Sequence, residues 1–572
     1  MHWIDWIVIA LYFGLIGGVA WWYGRDQKNT ADYFLAGRNA GWITIGASIF
    51  TSNIGSEHIV GLAGQGASTG MAMAHWELHA WVLILLAGLF VPFYYKSGVE
   101  TIPQFLEKRF SSRTRWILSV VSLVAYVFTK VSVTVYAGAI VFQALLPDTF
   151  GSPENAFWFG AFATVIITGI YTVFGGMRAI MATATPQAVI ILFGSAYITY
   201  VGLGKLGGWG ELVAMCKANA DQFALWRPLI DPALPDVPWY ANPGLPWLGV
   251  LIASPIVGIW YWCTDQYIVQ RALSAKDLAT ARRGALFGGL LKVWPVLIFL
   301  IPGMIGWALH QKGIIHIPLK MVNGAEVLDG DRVFPTLVTS LLPAGIRGLI
   351  VACLLAALMS SLASLFNSSA SLFTVDVYEK LRPGQSQKHL LLVGRIATTV
   401  VVGLGMVWIP VMAKIASGGL YQYLQSVQGY LAPPITAVFL LGLFWKRVNS
   451  AGATWGLGGG FVLGMIKLSV QAFYGSGDGK LHEPALLAAI GDFNFLYASG
   501  VLMAASVVII IVASLMTPAP SEEKIRGLTY GSIHQLGAAE IKNSWDWGNK
   551  LMAGLILLLV GGMYLYFSFW LK

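Results

Sequence analysis

Apolar runs of about 20 residues recur along the whole chain, and 20 residues is what a helix needs to cross the roughly 30 Å hydrocarbon core of a bilayer. The first is "WIDWIVIALYFGLIGGVAWWYG", residues 3–24. No other feature narrows the fold so far. In hydrocarbon every backbone polar group must be satisfied internally, which leaves only helices or closed barrels. A barrel would show short alternating segments, and these runs do not alternate. Composition agrees: of 572 residues 56% are hydrophobic and 11% are charged, with mean hydropathy +0.68, whereas an ordinary soluble domain carries about 25% charged residues. A soluble enzyme and a disordered chain are both excluded.

The runs predict an all-α integral membrane protein with about 14 transmembrane helices, near 3–23, 41–66, 73–95, 116–145, 155–174, 179–203, 245–265, 284–309, 344–371, 391–413, 418–445, 451–474, 486–516 and 549–571. The net charge of +9 does not point to nucleic acid, because the basic residues concentrate in alternate short loops such as "GRDQKNTADYFLAGR", "QRALSAKDLATARR" and "WKRVNS". That is the positive-inside pattern, and it places both termini outside. The first run has no basic leader or small-residue cleavage site and carries Asp5 early, so it reads as a permanent helix. Cys216, Cys263 and Cys353 are too scattered for a disulfide framework or a Cys-based metal site. The connections 205–243 and 310–343 predict short surface helices or lids. In the connection 517–548, Trp545 and Trp547 suggest a stretch along the membrane interface.

Polar residues inside these spans carry the functional signal. "TSNIGSEHIVGLAGQG", 51–66, puts Ser52, Asn53, Ser56, Glu57 and His58 around Gly55. Successive residues turn by about 100°, so these side chains cannot share one stripe. A break near Gly55 resolves the conflict, since irregular backbone is tolerated at membrane depth where it lines a hydrated cavity. A second interrupted segment, "IASPIVGIWYWCTDQYIVQR" at 252–271, carries Pro255 and Gly258. Paired interrupted helices point to an inverted-repeat secondary transporter.

Glu77, Lys292 and Gln425 also fall within apolar segments. Together with Asn53, His58 and the aromatics Trp76, Tyr126, Tyr261, Trp262 and Tyr421, they suit a polyhydroxylated ligand: hydroxyls meet the polar groups and the C–H face of a ring meets an aromatic. In "LLAALMSSLASLFNSSASLF", 354–373, Ala357, Ser360 and Ser361 share one helix face. Facing carbonyls of the first break near 51–54, they would supply about five neutral oxygens, a cage for a hard monovalent cation such as Na⁺.

The blocks "SNIGSEHIVGLAG", "YTVFGGMRA", "WYWCTDQYIVQRALSAK", "LMSSLASLFNSSASLFTVDVY" and "YLQSVQGYLAPPITAVFLLGLFWKRVN" resemble the sodium/glucose cotransporters of the sodium:solute symporter family across nearly the whole chain. The resemblance implies a leucine-transporter-type fold: a ten-helix core of two inverted five-helix repeats, with the first and sixth core helices broken. On this chain that gives an extra helix at 3–23, repeats at 41–203 and 245–445, and C-terminal helices within 451–572, all in one transmembrane domain. It implies a Na⁺ site of Thr51, Ile54 and Ala357 carbonyls with Ser360 and Ser361 hydroxyls. It implies a sugar site of Asn53, His58, Leu62, Glu77, Tyr126, Lys292 and Gln425, with Tyr261 stacked on the sugar and Trp76, Trp262 and Tyr421 around it.

Three positions depart from the family pattern. Ala184 and Ala363 stand where members with a second sodium site have Asp and a hydroxyl, so one Na⁺ per sugar is expected. Gly258 replaces a Thr, Ser or Asn that reaches a sugar hydroxyl, which leaves the sugar open. Glu57 has no assigned role, since relatives can carry Gly there. The external loops hold no N-x-S/T acceptor, which favours a bacterial inner membrane. The expectation is Na⁺-coupled import of a hexose-type sugar, with another small solute or a sensor or channel of the same fold as alternatives. No nucleophile–base set, phosphate loop or metal motif points to an enzyme, and the oligomeric state is not legible.

Overall fold

The computed structural model describes residues 2–572 apart from 26, 148, 323–324, 416–419 and 477–478. Among the described residues twelve helices are long and apolar enough to cross a membrane. They sort into two layers. The most apolar stretches of Ile346–Leu381 and Leu424–Phe444 are each 83% buried, whereas those of Trp3–Gly24 and Trp547–Phe569 are only 28% and 22% buried. The first two form the interior; the last two present leucines and aromatics outward, a large apolar surface that calls for lipid.

Twelve such helices stand against fourteen predicted runs for two local reasons. The predicted spans 155–174 and 179–203 lie in one 54-residue helix, Pro153–Leu206. A straight helix of that length would run about 80 Å, far more than a bilayer. The chain turns at Gly176, with φ 54° and ψ −160°, a conformation cheap only for glycine. The predicted span 41–66 is two helices, Trp42–Asn53 and Ser56–Thr69, and the second continues into the next run as the candidate span His58–Ser97. Towards the C-terminus, the run 486–516 resolves into a short helix, Ala485–Asp492, and the span Phe495–Leu515.

The broken pair 42–53 and 56–69 sits against the helix Leu278–Lys292 and its continuation Ile301–Gln311. The packing depends on glycine. A Cβ on Gly66 would fall on the Leu300 carbonyl, and one on Gly303 on that of Ala63. Without a hydrophobic drive between helices in lipid, such close approach of backbones is what holds spans together. In the first turn of the helix Trp3–Gly24, Asp5 accepts from the Gly345 and Gly348 N–H groups at 2.7 and 2.9 Å and pairs with Arg347 at 2.9 Å. It thereby caps the start of the helix Ile346–Ser371, satisfying N–H groups that no carbonyl can reach.

One expectation of an all-helical chain is corrected. The connection 310–343 holds an antiparallel hairpin, Leu319–Val322 with Ala325–Leu328, followed by the helix Gly330–Leu341. The sequence between the strands is Asn-Gly, the two-residue hairpin signal. The helix 330–341 lies on 56–69 so closely that a Cβ on Gly64 would come within 2.7 Å of the Gly330 carbonyl. The connection 205–243 carries Trp209–Ala218 and Ala220–Phe223. In 517–548, Trp545 packs beneath the Arg282 guanidinium at 5.4 Å, whereas Trp547 is 73% exposed.

Candidate functional site

The first break falls where the sequence places it. Ile54 (φ −88°, ψ 81°) and Gly55 (φ −89°, ψ −177°) leave the helix. The Gly55 N–H turns to the Asn53 carbonyl and the His58 N–H to the Gly55 carbonyl, each at 3.1 Å. The donors that would ordinarily take the Thr51 and Ile54 carbonyls are thus diverted, and those oxygens become available to a ligand. Across from the break stands Ile346–Ser371. Ser361 Oγ donates to the Ser52 carbonyl at 2.8 Å, Ser364 Oγ donates to the Ser360 carbonyl at 2.7 Å, and the Ser52 and Ser364 hydroxyls lie 3.0 Å apart. Thr51, Ile54, Ala357, Ser360 and Ser361 are all buried, and the Thr51 and Ser360 hydroxyl oxygens have no hydrogen-bond partner. The donor set is neutral and oxygen-only. It suits an alkali cation and lacks what a transition metal would demand.

The second break lies elsewhere than expected. Pro255 and Gly258 sit inside the continuous helix Trp247–Ile259. The helix then widens into a π turn, Trp260–Thr264, and breaks at Asp265 (φ −85°, ψ 125°) before Gln266–Leu273 begins. Charge sets this position. Lys130 Nζ meets Asp265 Oδ2 at 2.5 Å, and Tyr126 OH donates to Asp265 Oδ1. Lys130 stands on a second π turn, Tyr126–Val131, a geometry that concentrates at functional sites. Its ammonium lies 4.9–5.1 Å from the ring centres of Tyr126, Trp260, Tyr261 and Tyr267. Gly258 faces the His79 ring closely: a Cβ there would come 3.2 Å from it.

Between the two breaks lies a small cavity. Of the predicted ligand-site residues, Asn53, His58, Trp76, Glu77, Tyr261, Trp262, Lys292 and Gln425 line it. Lys292 Nζ pairs with Glu77 Oε2 at 2.5 Å, both fully buried, and lies 5.6 Å from the Trp262 ring centre. Asn53 Nδ2 donates to Tyr261 OH at 3.1 Å and lies 3.3 Å from His58 Nε2. Asn53 Oδ1, Gln425 Oε1 and Trp76 Nε1 on the wall are buried and have no hydrogen-bond partner among the described residues. Each costs roughly 1–3 kcal/mol unless something fills its valence, and two acceptors with one donor match hydroxyl groups.

Leu62 and Tyr126 are not brought to the wall. Leu62 is fully buried one turn beyond His58, and the hydroxyl of Tyr126 is committed to Asp265. The side chains of Ser56, Glu57 and Tyr421 lie outside the described residues. The cavity also takes in His79, Lys130, Thr134, Tyr267 and Gln428, which sequence reasoning missed. Lys130 was findable as a charge in an apolar run, and Gln428 as the helix neighbour of Gln425 three residues on. His79 is held by Ser254 Oγ at 2.7 Å over Gly258; neither it nor Tyr267 has a comparable signal.

A broken-helix pair around a polar cavity within a bundle of helices long and apolar enough to cross a membrane is the architecture of a membrane transporter. The model of the sodium:solute symporter family matches residues 33–460, and the chain belongs to that family. It is 39% identical to sodium/glucose cotransporter 4 of Danio rerio, covering 95% of this chain and 83% of that one. It is 36% identical to the sodium/myo-inositol cotransporter of Canis lupus familiaris, covering 97% and 79%. Its fold matches the solved structure of a Na⁺-coupled sialic acid symporter in a substrate-bound outward-open state, with a TM-score of 0.73 at 23% identity over 91% of this chain and 99% of that one.

Proposed function

We propose that this protein imports a hexose-type sugar of the glucose/galactose class together with Na⁺, one ion per sugar, by alternating access. The observation that carries the reading is the adjacency of two unlike sites. A neutral oxygen cage at the first break stands one residue from a cavity whose orphaned Asn53, Gln425 and Trp76 atoms call for hydroxyls. Relatives named for sodium with glucose or inositol support it.

In this reading Na⁺ is held by the carbonyls of Thr51, Ile54 and Ala357 and the hydroxyls of Ser360 and Ser361. The ion joins the broken helix to the helix 346–371 and orders Asn53 beside it. The sugar gives hydrogen bonds to the Asn53 and Gln425 amide oxygens and to Glu77, and takes them from His58, Lys292 and Trp76 Nε1. Tyr261 covers its C–H face, and Trp76 and Trp262 close over it from outside. Rocking of the core separates the two walls of the cage and releases the ion inward. The membrane potential adds about 2.3 kcal/mol per charge per 100 mV to the Na⁺ gradient. The same reading has fourteen crossings, inverted repeats at 41–203 and 245–445, and both termini outside the cell membrane.

Uptake of labelled D-glucose and D-galactose into proteoliposomes, with and without an inward Na⁺ gradient, tests this directly. Gradient-driven accumulation is expected, and uptake that ignores the gradient overturns the coupling. A cyclic polyol is the second reading, favoured by the inositol-named relative; myo-inositol outcompeting both hexoses would establish it.

A further inference from the structure

One side chain touches both sites and both breaks. Tyr267 stands in the first turn of Gln266–Leu273, just past the second break. Its backbone N–H donates to Tyr126 OH at 3.1 Å and to Asp265 Oδ1 at 3.2 Å. Its hydroxyl reaches across to the first break, donating to the Ser52 carbonyl, and lies 3.4 Å from Ser361 Oγ. Its ring forms part of the sugar-cavity wall, 6.3 Å from the Tyr261 ring.

Along the chain Ser52 lies between Thr51 and Ile54, two of the three residues whose carbonyls are assigned to Na⁺, and the next residue is Asn53, which holds Tyr261. A constraint on Ser52 therefore acts on the cage through Thr51 and Ile54, and on the sugar site through Asn53 and Tyr261. Ser361 donates to the same oxygen, so a change in the Ser361 hydroxyl on meeting an ion is felt by Tyr267 at once. From this geometry we infer that Tyr267 is the positioning residue that couples Na⁺ occupancy to sugar affinity, by locking the Ser52 carbonyl to the second broken helix. It acts through Ser52 rather than as a ligand of the ion. The inference rests on the function proposed above.

Tyr267→Phe keeps the ring and removes the lock. The quantity to measure is the ratio of sugar affinities at saturating Na⁺ and without Na⁺, with choline as replacement and D-glucose, D-galactose and myo-inositol as probes. Coupling between sites typically spans 5–150-fold and is reciprocal. In the variant this ratio is expected to shrink by about tenfold. The Na⁺ affinity should then lose the same factor of sugar dependence. Equal weakening with and without Na⁺ would make Tyr267 an ordinary wall residue and overturn the inference, as would an unaltered ratio. A wild type without any Na⁺-dependent sugar binding overturns the functional reading itself, which the same plate reports separately.

A second measurement does not depend on the variant folding. With 3-fluorotyrosine at position 267 in the otherwise unaltered protein, Na⁺ alone should shift the ¹⁹F resonance with the half-saturation seen in uptake, and K⁺ should not. A resonance indifferent to Na⁺ sinks the inference.

Discussion

The two helix breaks solve the same problem by opposite chemistry. Beside Ile54–Gly55 the Ser52 carbonyl is met by hydroxyls, from Ser361 and Tyr267. At Asp265 the carboxylate takes the freed Tyr267 N–H and is itself held by charge, from Lys130 on the facing π turn. The neutral break leaves carbonyl lone pairs uncommitted, and a cation can enter without displacing a resident one. The charged break is satisfied within the protein, with both Asp265 oxygens bonded. It serves as a fixed pivot beside the cavity. One break leaves oxygens open and the other uses its own.

The largest expected effect breaks that contrast at the charged side. Asp265→Asn leaves the Lys130 ammonium buried without its counter-ion. Removing one member of a buried pair costs about 3–5 kcal/mol, far more than the pair itself contributes. Unfolding in detergent should show that loss, and Lys130→Met with Asp265→Leu should recover most of it. A single-variant cost below about 1 kcal/mol would mean that water reaches the pair, as at a surface salt bridge.

At the neutral side the effect moves from stability to ion binding. Ser361→Ala removes one oxygen of the cage and should raise the Na⁺ concentration for half-maximal uptake about tenfold, equivalent to about 1.4 kcal/mol. Sugar affinity at saturating Na⁺ should stay within about twofold. An unmoved Na⁺ curve would remove Ser361 from the cage. In the cavity between, Gln425→Ala deletes an orphaned acceptor, and sugar affinity should fall about fivefold, near the 1 kcal/mol of one hydrogen bond. Wild-type affinity in that variant takes Gln425 out of the site.

The smallest effect lies away from both breaks, on the helix Ile102–Arg109. Burial alone would raise the Glu107 carboxyl, but hydrogen bonds from Lys380, Ser112 and Arg115 outweigh it and hold the group at about 2, below its ordinary 4.5. A carboxylate depressed on folding stabilises above its unfolded value and loses that contribution as pH falls towards its folded one. The acid limb of thermal stability between pH 4.5 and 2 should therefore be shallower in Glu107→Gln. An identical limb would show that this network does not set acid sensitivity.

Much of the site was legible because a polar group in an apolar run is costly wherever the chain takes it. That rule found Asn53, His58, Glu77, Lys292 and Gln425 before any tertiary contact was known, and it placed the first break at Gly55. It misread Pro255 and Gly258 as a break, because a helix-breaking residue reports only local strain. Thr436 Oγ1 donates to the Ile256 carbonyl just beyond Pro255, and the space over Gly258 belongs to His79. The hairpin at 319–328 was missed for a related reason, since four-residue strands carry too little periodicity to stand out beside long apolar runs.

The sequence by itself determined the solvent, the helical crossings and the residues that could not face lipid, because run length and desolvation cost are properties of local stretches. The tertiary structure alone decided which of those residues meet. Lys130 and Asp265 are 135 positions apart, and Tyr267 reaches a carbonyl 215 positions away. Such partners are selected by how the helices pack, through glycine contacts and π turns that aim a side chain, and no local rule encodes that geometry.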